Sequence, residues 1–254
     1  MSSSAEVLTS GLVVIVEPGR AAMGERAAAD VAEEVRARLT RQDRVRIVFA
    51  AAPSQSEMLA ALRIVPGIDW TRVVAFHMDE YIGLDRAAPQ RFGRWLKEAL
   101  FDELPFGEVH LLDPGEDPAA AARAYAALLD EAPIDIVCLG IGANGHLAFN
   151  DPPADLDDPE DVRVVTLDRA CRQQQVDDGC FDRFDAVPAR ALTLTVPRLL
   201  RADTLCCVVP GASKREAVTR ALHGPIDGSC PASALRRHPH CTLYLEPESR
   251  PVRG

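Results

Sequence analysis

Short, wholly apolar segments alternate along the chain with longer segments in which apolar residues lie on a single helical face. Leu12–Val16 is a continuous apolar run of strand length, and Ala28, Val31, Val35 and Leu39 then recur at helical spacing. Strands that are apolar on both faces are typical of parallel sheets buried between two layers of helices. The alternation therefore predicts an α/β fold with an open, mostly parallel, doubly wound sheet of Rossmann-like type and helices on both faces.

The same two patterns recur through the rest of the chain. The predicted strands are Leu12–Val16, Val45–Ala50, Val73–Met78, Val109–Leu112, Ile134–Leu139, Val162–Leu167, Leu192–Val196, Thr204–Val209 and Thr242–Leu245. The predicted helices are Glu25–Leu39, Glu57–Arg63, Arg91–Asp102, Pro118–Leu129 and Ser213–Leu222. Asp151–Asp161 is interpreted as a surface loop, and no repeat or low-complexity linker divides the sequence. We therefore expect residues 1–254 to form a single domain.

Charge and cysteine content argue against several kinds of partner. The chain has 28 basic and 38 acidic side chains and a formal net charge of −10, whereas proteins that coat nucleic acid or anionic membranes need broad basic surfaces. Its seven cysteines show no CxxC spacing, which favours reduced thiols over a disulfide framework or a zinc site. The early apolar run is too short for a signal peptide or a membrane span. We expect a cytoplasmic protein with no nucleic-acid or membrane partner.

In a doubly wound sheet, ligands bind beyond the carboxyl ends of the strands, and the first candidate segment there is Ala50–Ser56. Small residues join a strand to a helix at this point, so that free backbone N–H groups and the positive end of the helix can bind a phosphate. The residues assigned to that role are Ser54, Gln55 and Ser56. Alternatively, Ser54 and Glu57 form a capping box that satisfies the same N–H groups.

A second candidate segment places two adjacent carboxylates, Asp79 and Glu80, at the end of an apolar strand. Successive side chains of a strand point to opposite faces, so the two carboxylates cannot share one role. One can face the ligand crevice as a general base while the other makes a structural bond. A turn or cap role is the alternative for an aspartate at a strand end.

The third candidate segment is a glycine loop that presents a histidine. Gly140, Gly142 and Gly145 have the spacing of a dinucleotide-binding fingerprint, but Pro152-Pro153 prevents the helix that this fingerprint requires. The dinucleotide interpretation is therefore rejected. What remains is a glycine loop that presents His146, with Asp151 five residues further on to orient or charge it, a combination suited to acid–base chemistry.

Two of these segments resemble the signature motifs of the glucosamine-6-phosphate deaminase (isomerase) family. They are Phe76–Leu84 and Gly140–Pro152. Further matches occur in the family's order and spacing at Val187-Pro188, Ala191–Thr195, Gly211–Lys214 and Ser233–Pro239. The resemblance covers nearly the whole chain. It implies an enzyme that converts glucosamine 6-phosphate into fructose 6-phosphate and ammonia, with a small-molecule sugar phosphate as its partner and with no cofactor or metal.

The resemblance also implies roles for individual residues. By match, His146 opens the amino-sugar ring, Asp79 moves a proton between C2 and C1, and Lys214 contacts the phosphate. The family usually holds its histidine between two carboxylates. Here Asn144 replaces the first, and Asp151 is one methylene shorter than the usual glutamate at the second. We nevertheless expect Asn144 and Asp151 to act with His146 as catalytic residues.

Two further residues, Gly145 and Arg172, complete the predicted substrate-binding set. Arg172 begins a segment that differs from the family's Asn-Ser-Arg-Phe-Phe sequence, and Pro53–Ser56 likewise replaces its glycines and threonine. Three alternatives therefore stay open: a related 6-phosphogluconolactonase, a deaminase or isomerase for another sugar phosphate, and a non-catalytic sugar-phosphate sensor. The neutral Asn144 favours the sensor. A homo-oligomer also stays open.

Overall fold

The computed structural model describes residues 4–7 and 11–251. Its strands are β1 Ser4–Val7, β2 Leu12–Val16, β3 Val45–Phe49, β4 Val73–His77, β5 Asp79–Tyr81, β6 Glu108–His110, β7 Ile136–Leu139, β8 Val162–Thr166, β9 Arg190–Leu194, β10 Thr204–Val209 and β11 Cys241–Leu245. Its α-helices are α1 Arg20–Leu39, α2 Ser56–Leu62, α3 Phe92–Leu96, α4 Pro118–Asp130, α5 Arg169–Asp177, α6 Val196–Leu200 and α7 Arg215–His223.

The larger sheet has eight strands in the order β1-β2-β11-β10-β7-β3-β4-β6. Its neighbouring strands are parallel except for β1 and β2, which are antiparallel. Every residue of β3, β4 and β7 is buried. One apolar cluster packs α1, α2 and α3 against one face, and a second packs α4, α6 and α7 against the other. The predicted doubly wound α/β fold is confirmed.

A smaller antiparallel sheet, in the order β5-β9-β8, lies beside the end of β4. Only Met78 separates β4 in the large sheet from β5 in the small one. The prediction of one strand through Met78 is therefore too long by one residue, and Asp79 begins a strand of its own. This change of sheet places Asp79 at the carboxyl edge of the parallel strands.

Several elements differ from the sequence prediction for identifiable reasons. Helix α5 has a polar sequence, RACRQQQVD, in which only two positions are buried, so its apolar periodicity is weak. The strand predicted at Leu192–Val196 ends at Leu194, because the Thr195 hydroxyl caps α6 by accepting a hydrogen bond from the backbone N–H of Arg198. The edge strand β6 is shorter than predicted and begins at Glu108. The helix predicted at Arg91–Asp102 is α3 followed by a π-helical turn.

Within residues 4–7 and 11–251, none of the helices combines the length and the apolar character that crossing a membrane requires.

Candidate active site

A cleft opens at the carboxyl ends of β3, β4 and β7 and encloses about 570 Å³ of space, part of it open to solvent. The polar side chains that line it belong to Ser54, Gln55, Asp79, His146, Gln174, Gln175, Asp178 and Lys214. The fold thus brings together residues from all three candidate segments, with Lys214 from the turn before α7 and three residues from α5 and its end.

Asp79 and Glu80 divide between two roles, as the alternation of strand side chains predicts. Asp79 lines the cleft, whereas the Glu80 carboxylate accepts hydrogen bonds from the backbone N–H groups of Tyr81, Phe92 and Gly93 at 2.9–3.2 Å. Glu80 therefore ties the start of α3 to β5. Burial, reinforced by the neighbouring Glu80, raises the pKa of Asp79 well above the usual range of an aspartate.

The imidazole of His146 lies against the backbone of the glycine loop. A Cβ atom added to Gly142 would lie 2.2 Å from both Cε1 and Nε2 of His146, so only glycine leaves room for the ring. Nδ1 of the ring lies 3.3 Å from Oδ1 of Asp151, an ion-pair distance. The ring therefore fits between the loop backbone and a carboxylate, and it lines the cleft.

Asp151 is held in place by hydrogen bonds from two directions. Asn144 Nδ2 donates to its Oδ1 at 3.1 Å, and the backbone N–H of Asp168 donates to its Oδ2 at 3.1 Å. Burial opposes ionisation of Asp151, but His146 and these donors together lower the pKa of the carboxyl overall. Asp151 thus stays ionised beside the His146 imidazole.

Asn144 joins the histidine loop to two carboxylates. Its Oδ1 accepts a hydrogen bond from the backbone N–H of His146 at 3.0 Å. Its Nδ2 donates to Asp151 and also, at 3.4 Å, to Oδ2 of Asp168. The amide is therefore both donor and acceptor, and a carboxylate lacks the N–H donors that bind these two acids.

The segment before α2 lacks the capping box that the sequence allows. Neither the turn at Pro53–Gln55 nor the start of α2 has a side-chain cap. The Glu57 carboxylate instead accepts hydrogen bonds from Arg20 of α1, at 2.7 and 3.1 Å. Ser54 and Gln55 face the cleft, whereas the exposed Ser56 does not line it. The capping-box alternative is wrong because Arg20 holds the carboxylate away from the turn.

Lys214 is a buried cation that lines the cleft. Its ammonium group makes no hydrogen bond to a described residue and has no described carboxylate within 4.0 Å. Burial lowers the pKa of its ammonium, and Asp178, which lines the same cleft, partly offsets this effect. Gln174 joins the same wall by donating to Asp178 Oδ2 at 3.2 Å. The buried Lys214 cation, the Asp178 carboxylate and neutral amides thus form this end of the cleft.

Two predicted binding residues lie away from the cleft. The guanidinium of Arg172 stacks on the ring of Phe184, 4.2 Å from its centroid, and donates to the backbone carbonyls of Phe184 and Val187. Gln174, Gln175 and Asp178, on α5 and just after it, line the cleft instead. Gly145 has a φ of +94° and shapes the turn before His146.

The sequence prediction missed Gln174, Gln175 and Asp178, because nothing in the pattern of α5 marks the side that faces the sheet.

The sequence prediction also missed a compact group of atoms of the kinds that bind metal ions. His146, Asp151 and Cys171 each offer one such atom, and these atoms lie within 4.8 Å of one another. Cys171 follows Asp151 by twenty residues, a separation outside the usual metal-binding motifs.

The fold and the cleft together define an α/β protein with a cleft, lined by an aspartate and a histidine, at the carboxyl edge of its parallel sheet. A family model described as glucosamine-6-phosphate isomerases/6-phosphogluconolactonase matches residues 18–244. The chain belongs to this family, which confirms the resemblance stated from the motifs.

Curated relatives agree with the family assignment. The chain is 36% identical over 180 residues to a glucosamine-6-phosphate deaminase of an Exiguobacterium species, a match that covers 70% of this chain and 69% of the relative. It is 33% identical over 201 residues to the glucosamine-6-phosphate deaminase of Listeria welshimeri, covering 78% and 84% of the two chains.

Solved structures support the same fold. A monomeric glucosamine-6-phosphate deaminase superposes with a TM-score of 0.85 at 25% identity and covers 93% of this chain and 98% of its own. A 6-phosphogluconolactonase from Thermotoga maritima superposes with a TM-score of 0.74 at 19% identity, over 92% and 99% of the two chains. The lactonase likeness concerns the fold alone.

Proposed function

We propose that the protein is an isomerising deaminase that converts glucosamine 6-phosphate into fructose 6-phosphate and ammonia. The observation that carries the proposal is the pairing of Asp79 and His146 in one cleft, each held by a different strand end. The relatives at 33–36% identity that are named as glucosamine-6-phosphate deaminases support the same reaction.

The first step assigned to this cleft is the opening of the sugar ring. His146 donates a proton to the ring oxygen as the C1 hydroxyl loses its own, and the C1 aldehyde forms. Asp151, 3.3 Å from Nδ1, stabilises the imidazolium that supplies the proton. Asn144 acts as a positioning residue, since its amide binds both Asp151 and the backbone of His146.

The second step is the transfer of a proton between neighbouring carbons. Asp79 removes the proton from C2 and returns it to C1, so that the aldehyde becomes an alcohol and the C2 amine becomes an imine. Water then hydrolyses the imine to the C2 ketone and releases ammonia. A general base works best when its pKa is close to the operating pH, and burial raises the pKa of Asp79 in that direction.

We assign the phosphate to the end of the cleft formed by Ser54, Gln55 and Lys214. The buried ammonium has no hydrogen-bond partner among the described residues and is available to a phosphate oxygen. The uncapped turn at Pro53–Gln55 adds the backbone N–H of Ser54, since Pro53 has no N–H and that of Gln55 donates to the Ala52 carbonyl. Arg172 is left out of this assignment, because its guanidinium stacks on Phe184 and its Nη2 donates to two backbone carbonyls.

Ammonia release from glucosamine 6-phosphate by the purified protein tests the proposal. We expect ammonia and a ketose phosphate in equal amounts. Assay of a 6-phosphosugar lactone in parallel distinguishes the related hydrolase, which would acidify the medium without releasing ammonia. Lactone hydrolysis without deamination would overturn the proposal. Thermal stabilisation by glucosamine 6-phosphate without any product would instead support a sensor.

A further inference from the structure

Three side chains behind the cleft bring together an imidazole, a carboxylate and a thiol. His146 comes from the glycine loop, Asp151 from the loop that follows it, and Cys171 from the first turn of α5. Nδ1 of the imidazole, a carboxylate oxygen and the Sγ atom lie within 4.8 Å of one another. We refer to these three residues as the rear cluster.

The potential metal-binding atoms of the rear cluster are buried, and not all of them make hydrogen bonds. His146 is 8% exposed, and its Nδ1 makes no hydrogen bond to any described residue despite its ion-pair distance to Asp151. Cys171 is fully buried. Burial and the neighbouring carboxylates of Asp151 and Asp168 raise the pKa of its thiol, so the free thiol is protonated. An ion that binds here displaces that proton.

The spacing of the cluster suits a small divalent ion after a modest contraction. Zn²⁺ binds nitrogen and oxygen at about 2.0–2.2 Å and sulfur at about 2.3 Å in a tetrahedral arrangement, so its ligand atoms are separated by roughly 3.3–3.8 Å. The separation of at most 4.8 Å therefore has to shorten by about 1 Å in the widest pair. An imidazole and a thiolate select Zn²⁺ or Cd²⁺ over Mg²⁺ and Ca²⁺.

We propose that His146, Asp151 and Cys171 form a binding site for thiophilic divalent cations, with water as the fourth ligand. Binding forms bonds from the ion to Nδ1, a carboxylate oxygen and Sγ, and it releases one proton from the thiol. An ion on Nδ1 keeps the His146 imidazole from becoming protonated, so ring opening stops. This inhibitory consequence rests on the proposed function, whereas the binding itself does not.

Titration of the purified protein with Cd²⁺ tests the binding without any turnover. We expect one equivalent of Cd²⁺ to produce the ultraviolet charge-transfer band of a cadmium–thiolate bond and to release one proton per ion into a dye-buffered solution. Cys171→Ser removes the thiolate and is expected to abolish the band. The matched control is Cys180→Ser, which changes a half-buried thiol outside the rear cluster. The control is expected to keep the band.

Inhibition by Zn²⁺ tests the consequence. We expect Zn²⁺ to stop ammonia release by the wild-type protein and a chelator to restore it. Relative to its own metal-free rate, Cys171→Ser should need at least about tenfold more Zn²⁺ for the same inhibition, since even indirect supports of a metal site contribute 10- to 100-fold in affinity. Thermal denaturation checks that the variant folds, and Cys171→Ala provides an independent substitution.

The results that overturn the proposal are distinct from a failure of the deaminase assignment. Absence of the cadmium band in the wild-type protein, or its persistence in both Cys171 variants, would place no ion at the rear cluster. Equal sensitivity of wild type and Cys171→Ser to Zn²⁺ would assign the inhibition to another site. A protein that binds Cd²⁺ through Cys171 but releases no ammonia would leave the metal site standing and contradict only the deaminase assignment.

Discussion

Replacement of Gly142 by alanine tests whether the position of the His146 ring controls activity. The added methyl group would lie 2.2 Å from Cε1 and Nε2 of the ring and 2.4 Å from Cδ2. Ordinary van der Waals contact begins at 3.4 Å, so the ring has to move by the difference between 3.4 and 2.2 Å, about 1.2 Å. The ring is the end of a side chain and can rotate away, which makes displacement the expected response.

The size of the effect follows from this displacement. A shift of about 1 Å at a reacting group costs on the order of 100-fold in rate. We therefore expect kcat for ammonia release from glucosamine 6-phosphate to fall by about 100-fold in Gly142→Ala. Overpacking of this kind costs roughly 1–3 kcal/mol, less than the stability of a typical folded domain of about 5–15 kcal/mol, so the variant is expected to remain folded.

Steady-state kinetics and thermal denaturation of the same samples separate the two effects. Gly19→Ala is the matched control, because a methyl group there meets no atom of a described residue within 4 Å and the backbone is extended. This control is expected to match wild type. A Gly142→Ala protein that is folded and as active as wild type would refute the assignment of His146 to ring opening in this geometry.

Three further variants test the charges of the cleft. Lys214→Met removes the buried cation and is expected to raise KM roughly 10- to 100-fold, since a hydrogen bond to a charged group contributes about 1.5–3 kcal/mol; an unchanged KM would contradict this. Asp178→Asn removes a negative charge from the cleft and should lower KM about two- to fivefold. Asp177→Asn, which changes a carboxylate outside the cleft, should leave KM unchanged. Asp79→Asn should raise Tm at alkaline pH, because the raised pKa of Asp79 means that its ionised form destabilises the fold. The gain should shrink as the pH falls below that pKa and vanish only below the ordinary pKa of an aspartate in the unfolded chain. Equal Tm values at alkaline pH would contradict the raised pKa.

The fold was predictable because its strands are apolar on both faces and its helices have an apolar stripe. Val45–Phe49 and Val73–His77 have no competing pattern, and the structure buries all their residues. By contrast, α5 is short and polar, and tertiary contacts rather than periodicity determine its position. The end of the strand near Thr195 likewise depends on a side-chain cap that apolar patterning does not reveal.

Part of the candidate site was predictable because it lies at the carboxyl ends of the predicted strands. Asp79 lies two residues after the end of β4, and His146 lies in the glycine loop that follows β7. Parallel strands bring their carboxyl ends to one edge, so both residues were expected there. Arg172 and Asp178 lie on or beside a helix, where the facing side depends on how the helix is rotated. The sequence alone does not determine that rotation. The structure places Asp178 in the cleft and Arg172 against Phe184, and neither position was predicted.

The most direct test of the proposed mechanism is the rate of ammonia release by Asp79→Asn. A general base contributes about 10²- to 10⁴-fold, so the variant should lose that factor in kcat while remaining folded. Glucosamine 6-phosphate should still stabilise it against heat, because Lys214 and the uncapped turn that we assign to the phosphate are intact. Ammonia release at the wild-type rate by the folded Asp79→Asn protein would contradict the mechanism.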